Sequence, residues 1–185
     1  APIYYGKRLR VRPVQNVMKE IQDNISRYGI RNFFIWADTF TADKDYVIRF
    51  SEEIIRRNLN ISWMCNSRVD TIDRDMLILM KRSGLWMISF GIESGSNHIL
   101  KRAKKYTTVS QAKKAVKEAH QLGIKTAGHF IFGLLGEDLK TMEQTISLAL
   151  NLPLDIAQFY AAAPFPGTGM YREAKDRGWL KGGLS

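Results

Sequence analysis

One cysteine, Cys65, stands among 185 residues. That excludes an internal disulfide framework, and a single thiol cannot by itself hold a zinc ion or an iron–sulfur cluster. No apolar run approaches the roughly 20 residues that cross a bilayer, and no secretory leader opens the chain, so neither a membrane partner nor export is expected. Cytoplasmic localisation is the expectation that follows. Also missing are HExxH, an acidic EF-hand loop, a Gly-x-Ser-x-Gly elbow and a phosphate-loop pattern. His98, His120 and His129 are dispersed, the first two in helical stretches. Only His129 falls where a side chain could enter a barrel, and packing would serve it equally. Lys125 opens its strand, the wrong end for a Schiff base, and Cys65, late in an interior strand, reads as core. Low-complexity segments and linkers are absent too. Residues 1–185 therefore read as one domain, long enough to bury a sizeable core.

What is present is ordinary in kind and basic in balance. Hydrophobic residues make up 45% and charged residues 25%, and 28 Lys and Arg against 18 Asp and Glu give +10. Lys7, Arg8, Arg10 and Arg12 alternate with apolar residues. Lys101, Arg102, Lys104 and Lys105 form a second group, and Lys113, Lys114 and Lys117 share a helix. Solvated helix faces explain these charges, and so would a nucleic acid or a phosphorylated ligand, because phosphate neutralisation needs several cations. No aromatic-interleaved RNA-binding signature accompanies them.

Hydrophobic periodicity alternates between the strand and helix patterns. Helices are expected at 14–28, 43–57, 73–83, 97–104, 109–122, 140–151 and 170–177, several stopped by glycine. Strands are expected at 32–37, 61–65, 86–90, 125–132 and 156–162. Strand starts recur every roughly 25–40 residues, the spacing of right-handed βα units, which predicts a parallel α/β sheet, either open and doubly wound or curved into a barrel.

Polar, glycine and proline residues follow each strand, where the mouth of a βα barrel gathers its ligand site. Asp38 and Thr39 follow the first, and the carboxylate could accept from an ammonium or a sugar hydroxyl, or simply cap a turn. Asn66, Arg68 and Asp70 follow the second. The Arg68 fork could clamp a carboxylate or pair internally with Asp70. Gly91-Ile92-Glu93-Ser94-Gly95 is the most specific stretch, its glycines permitting close approach and Glu93 and Ser94 suiting a ribose. Ile131 and Gly133, in Phe130-Ile131-Phe132-Gly133-Leu134-Leu135-Gly136-Glu137, could lie against a flat ring, or the glycines could serve the turn alone. Pro164 opens Pro164-Phe165-Pro166-Gly167-Thr168 after the last strand.

In this order the strand ends resemble the radical S-adenosylmethionine (SAM) superfamily, nearest to its cobalamin-binding and methylthiotransferase-like members. Ile35-Trp36-Ala37-Asp38-Thr39-Phe40 resembles the family's second-strand segment, with Ala37 in place of a first Asp. Asn66 to Asp70 resembles the third, and Gly91 to Ser96 with Ile99-Leu100 and Tyr106-Thr107 resembles the fourth most strongly. Phe130 to Glu137 is similar to the fifth, with Leu135 where the family usually has Pro. Ala163 to Thr168 with Tyr171 is similar to the sixth. The family's CxxxCxxC is absent, and Ala1 to Arg8 resembles the segment that follows its last cysteine.

The resemblance implies a partial (βα)6 TIM-like barrel, strands two to six of a radical SAM core, with the first strand and cluster loop expected upstream. It implies SAM and a 4Fe-4S cluster, with or without cobalamin. In the family, an electron from the cluster cleaves SAM to a 5′-deoxyadenosyl radical that takes hydrogen from a substrate. A reductant such as flavodoxin or ferredoxin would supply the electron. Cofactor-binding positions carried over are Asp38, Thr39, Asn66, Arg68, Glu93, Ser94, Ile131, Gly133 and Pro164. The chain alone, lacking cluster ligands, is not expected to run the reaction. Two other readings remain: a basic tRNA-binding barrel module, and an unrelated βα-barrel hydrolase or aldolase, which lacks a metal-ligand cluster and a strand-mouth lysine.

Overall fold

A computed structural model describes residues 9–180. Lys7 and Arg8 of the first basic group, and the Ala1 to Arg8 segment, lie outside the described residues. Helix α1 spans Val14–Tyr28 and strand β1 Asn32–Ile35, and a 3-10 turn at Phe40–Ala42 leads into α2, Lys44–Arg56. Then come β2 (Ser62–Ser67), α3 (Arg74–Arg82), β3 (Leu85–Glu93), α4 (Asn97–Arg102) and α5 (Val109–Gln121). Strand β4 (Lys125–Phe132), α6 (Leu139–Asn151), β5 (Ile156–Ala161) and α7 (Gly169–Asp176) complete the order.

All five strands are parallel, and their order in the sheet is their order in sequence. A doubly wound sheet reverses its strand order at a switch point. This sheet never does. Its winding is that of a βα barrel, with one face for helices and one for a lumen. The period of two in each strand divides the residues accordingly. Trp63, Cys65, Ile88, Phe90 and Phe130 join helix side chains in one continuous core. Met64, Asn66, Ser89, His129 and Gln158 line a cavity on the opposite face.

Local chemistry fixes the helix ends. The Asp73 carboxylate accepts from the Met76 N–H at 2.9 Å, capping α3 as expected from the sequence. Asp43 and Asp138 cap α2 and α6 in the same way. Thr108 and Gln111 form a reciprocal capping box on α5. The core centres on an edge-to-face cluster of Phe40, Phe50 and Trp63, with ring centroids 5.1–5.6 Å apart. Trp63 is fully buried and its indole N–H donates to the Ser83 carbonyl at 3.0 Å. Truncating such a residue to alanine costs about 3–5 kcal/mol.

Strand lengths differ from the periodicity. Strand β3 runs three residues past the expected Phe90, because β4 goes on supplying ladder partners as far as Glu93 after the pairing with β2 has ended at Phe90. Strand β1 stops at Ile35, two residues short, where it pairs with β2 alone. The carboxyl ends of β1 and β2 therefore turn into loops at Trp36 and Arg68, and these loops carry the site.

Candidate functional site

A cavity of about 790 Å³ lies over the lumen face of the sheet, toward the carboxyl ends of the strands. That volume falls within the range of roughly 300–1,000 Å³ typical of small-molecule sites. Six of the nine positions singled out in the sequence line it: Asp38, Thr39, Asn66, Arg68, Glu93 and Ile131. A smaller cavity of about 390 Å³ lies between α1 and β1 and shares Phe34, Trp36 and Thr39 with the first.

The rim is a connected set of charges. Strand β1 delivers Asp38, exposed and without a hydrogen bond to any described residue. Asn66 leaves β2 and donates from Nδ2 to the Ala37 carbonyl at 3.3 Å, tying the second strand end to the first. Arg68 makes a bidentate pair with Asp70, Nε to Oδ1 at 2.9 Å and Nη2 to Oδ2 at 2.8 Å. Its Nη2 also donates to the Lys105 carbonyl at 3.0 Å. Of the two roles the sequence left open for Arg68, the internal pair is the one seen. Its Nη1 makes no hydrogen bond to a described residue, so a donor remains for a ligand.

Glu93 ends β3 with φ of 69°, a left-handed conformation that costs an ordinary residue about 1–2 kcal/mol. That twist carries its carboxylate across Gly91 to the Lys105 ammonium, 2.6 Å away. Both side chains are only 19% exposed. Counting Asp38, Arg68, Asp70, Glu93 and Lys105, the rim bears one negative charge more than positive. A ligand with a net positive charge and a carboxylate of its own complements that arrangement.

The lumen wall below is formed by β4 and β5. His129 Nδ1 lies 3.0 Å from the Tyr160 hydroxyl, and Gln158 sits opposite His129 in the strand register. Burial holds the His129 imidazole below its ordinary pKa, while Glu93 pulls in the other direction. It is therefore the neutral ring that faces the lumen at neutral pH.

Three of the nine positions lie off the cavity. Ser94 is completely buried, its Oγ 3.3 Å from the Thr145 hydroxyl and accepting from the Ser96 N–H at 3.2 Å. It fastens the β3–α4 loop to α6. The glycine beside it, Gly95, serves the same junction and not a ligand: its N–H donates to Thr145 Oγ1 at 2.9 Å. Gly133 donates its N–H to Glu137 Oε2 at 2.5 Å within the β4–α6 turn. Pro164 is half-buried in the loop after β5.

Lys105, Gln158 and Tyr160 belong to the site and were not singled out in the sequence. In the sequence Lys105 reads only as one member of a basic group. Gln158 and Tyr160 did carry a signal, since they alternate with Phe159 on the lumen face of β5. Cys65 is buried in the core, and desolvation pushes its thiol far above the usual range. Among the described residues no group of three or more His, Cys, Asp or Glu could hold a metal ion. These residues thus fit an organic, charged ligand and do not supply the thiolates of an iron–sulfur cluster. No helix among them is long and apolar enough to cross a membrane.

Comparison with known proteins identifies the family and the fold. An uncharacterized methyltransferase of Pyrococcus horikoshii is 38% identical over 172 residues, covering 93% of this chain and 38% of its own length. The anaerobic magnesium-protoporphyrin IX monomethyl ester cyclase of Rubrivivax gelatinosus is 33% identical over 176 residues, covering 94% and 32%. The chain thus spans about a third of the length of these curated relatives. Among solved structures, the radical S-adenosylmethionine methyltransferase TsrM of Kitasatospora setae, with cobalamin and a [4Fe-4S] cluster bound, superposes with a TM-score of 0.82. That match has 18% identity and covers 90% of this chain and 34% of TsrM, so it speaks to the fold. The family model of the Radical SAM superfamily matches residues 2–149. On the strength of that match, the chain belongs to the radical SAM superfamily.

Proposed function

We propose that this chain is the SAM-binding core of a radical SAM methyltransferase-like enzyme of the cobalamin-dependent kind. The observation that carries the reading is the charged rim at the strand mouths, where Asp38, Arg68, Glu93 and Lys105 converge over one cavity. SAM bears an ammonium, a sulfonium and a carboxylate, and its net positive charge complements the negative rim. Asp38 would take the ammonium. Arg68, through its spare Nη1, and Lys105 would take the carboxylate, with Asn66 and Thr39 holding the strand ends in place. Glu93 would accept from the ribose hydroxyls. Ile131 presents an apolar surface to the adenine, with Gly133 and Pro164 shaping the loops behind it. Ser94 contributes by fixing the loop that carries Glu93.

A 4Fe-4S cluster bound beside SAM would supply the electron that cleaves it. Its thiolates would come from outside the residues described, because Cys65 is sealed in the core. The part played by this chain is binding and orientation. Met64, Met87, Ala127 and Ile156 line the cavity with apolar surface, which would limit the water around a bound cofactor. The substrate and the supply of cobalamin and reductant belong to the whole protein.

Equilibrium dialysis with radiolabelled SAM tests the reading. The intact protein should bind SAM at micromolar concentration, and Asp38→Asn and Lys105→Met should each weaken binding at least about tenfold, the loss of one charged hydrogen bond. Unchanged affinity in both variants would overturn the assignment of the rim.

A further inference from the structure

The assigned SAM contacts use the rim and leave the β4–β5 wall unexplained. On that wall His129 Nδ1 meets the Tyr160 hydroxyl at 3.0 Å, along a diagonal of the parallel ladder in which His129 opposes Gln158 and Ile131 opposes Tyr160. The Gln158 side chain makes no hydrogen bond to any described residue, yet it faces the same cavity. Nothing in the packing of the sheet demands three polar side chains there, because the helices lie on the other face. The surroundings are Met87, Ala127, Ile131 and Ile156.

We propose that His129, Gln158 and Tyr160 form a subsite for the second substrate, recognising a neutral hydrogen-bonding group (a carbonyl, amide or hydroxyl) on an otherwise apolar molecule. The proposal rests on the reading of the rim as the SAM site, since that leaves this wall for the other reactant. A neutral imidazole has one donor and one acceptor. When Tyr160 donates to Nδ1, the imidazole proton sits on Nε2 and gives the lumen an N–H donor. Gln158 beside it adds both a donor and an acceptor. The desolvation that holds His129 neutral keeps this pattern in place at neutral pH. An anionic group is disfavoured, for no cationic side chain of β4 or β5 lines the cavity. Phosphorylated or carboxylate-bearing substrates would lack a counter-charge on this wall.

The test titrates benzamide, p-cresol, toluene and inorganic phosphate into the intact protein labelled with ¹⁵N-histidine. His98 and His120 lie exposed on α4 and α5 and serve as internal references. Benzamide and p-cresol should move the His129 ring signals in a saturable way at millimolar concentration, a strength fitting for fragments. Toluene and phosphate should not. Tyr160→Phe and Gln158→Leu should each weaken benzamide about tenfold, the worth of one hydrogen bond. SAM affinity should stay within twofold of the parent, which also reports that both variants are folded. Equal response to toluene and benzamide, or parental benzamide affinity in both variants, would overturn the subsite. A parent that binds benzamide as described but not SAM would instead overturn the function assigned to the rim.

Discussion

The Lys105 ammonium lies 2.6 Å from the Glu93 carboxylate, joining the loop after α4 to the end of β3 across the mouth of the cavity. Two separable costs meet at Glu93, a backbone held at φ of 69° and a partly buried ion pair. Glu93→Ala removes the pair and keeps the strain. Glu93→Gly removes the pair and relieves the strain, set against the greater chain entropy of glycine. The glycine variant should therefore be more stable than the alanine variant by about 1 kcal/mol in urea unfolding. Both should bind SAM at least about tenfold more weakly than the parent. Parental SAM affinity in both variants would remove Glu93 from the binding site.

Leu135 occupies the place where the family resemblance leads one to expect proline, and the turn is nevertheless intact. The Glu137 N–H donates to the Leu134 carbonyl at 3.0 Å, and Gly136 has φ of 82°. Those are the marks of a type II turn, with Leu135 at the position proline favours. The Leu135 N–H donates no hydrogen bond among the described residues, so proline would forfeit none. Leu135→Pro should raise stability by about 0.5 kcal/mol, measured by chemical denaturation. Gly136→Ala should do the opposite, losing more than about 1 kcal/mol, because its Cβ would stand 2.9 Å from Arg102 at a φ that suits glycine.

These two loops mark what the sequence could and could not disclose. The sheet was legible because β2 and β4 carry their alternation openly, and the strand ends because Asp38, Arg68 and Glu93 fall at fixed offsets from apolar runs. The βα period alone left an open sheet and a curved one equal, and it was the resemblance carried by the strand-end residues that pointed to the barrel order the sheet shows. Lys105 escaped because its role depends on the left-handed turn at Glu93, which no pattern announces. Gly95 and Ser94 looked like ligand contacts, yet the space they save is filled by α6, a partner some 50 residues away.

Acid should destabilise the fold through specific carboxylates. Glu53 accepts from Arg56 at 2.8 and 3.0 Å and from Arg57 at 2.7 Å. The guanidiniums of Arg56 and then Arg57 hold its pKa down to about 2 from 4.5. Lys44 does the same to Asp73, helped by the Met76 N–H, and Lys125 to Asp155, helped by the Thr126 N–H. A carboxylate depressed in the folded state adds stability above its unfolded pKa and loses it as pH falls through the folded one. Stability should thus decline from about pH 4.5 toward pH 2. In urea titrations over that window Glu53→Gln should show a shallower decline than the parent. An unchanged slope would remove Glu53 from the cause.

Cys65 should be inert in the native protein. It is fully buried between β1 and β3, opposite Ile35 and Ile88 in the ladder, and burial pushes its thiol far above the ordinary value. A thiol held protonated and out of reach is neither nucleophile nor metal ligand. A disulfide reagent at pH 8 should label none of it in native buffer and all of it in urea. Cys65→Ser should be less stable than Cys65→Ala, because a buried hydroxyl without a partner costs about 1–3 kcal/mol. Rapid native labelling would reopen the question of whether this residue could hold iron.

The junction at Gly95 decides whether the charged rim and the helix layer are one unit. A Cβ built on Gly95 would stand 2.3 Å from the Gln144 carbonyl oxygen and 2.7 Å from the Thr145 Cα, both backbone atoms of α6 that cannot step aside as a side chain could. The Gly95 N–H to Thr145 Oγ1 bond and the Ser94 to Thr145 contact would be forced apart together. Gly95→Ala should therefore cost more than about 3 kcal/mol, at the severe end for a single substitution. Thr145→Val leaves the backbone approach intact, strands the Gly95 N–H and leaves the Ser94 hydroxyl with the Ser96 N–H alone, so it should cost about 1–3 kcal/mol. Because Glu93 hangs from this same loop, SAM affinity should fall in Thr145→Val while the overall helix content by circular dichroism does not. Retained SAM affinity in Thr145→Val would show that the Lys105 pair alone suffices to hold Glu93 in place.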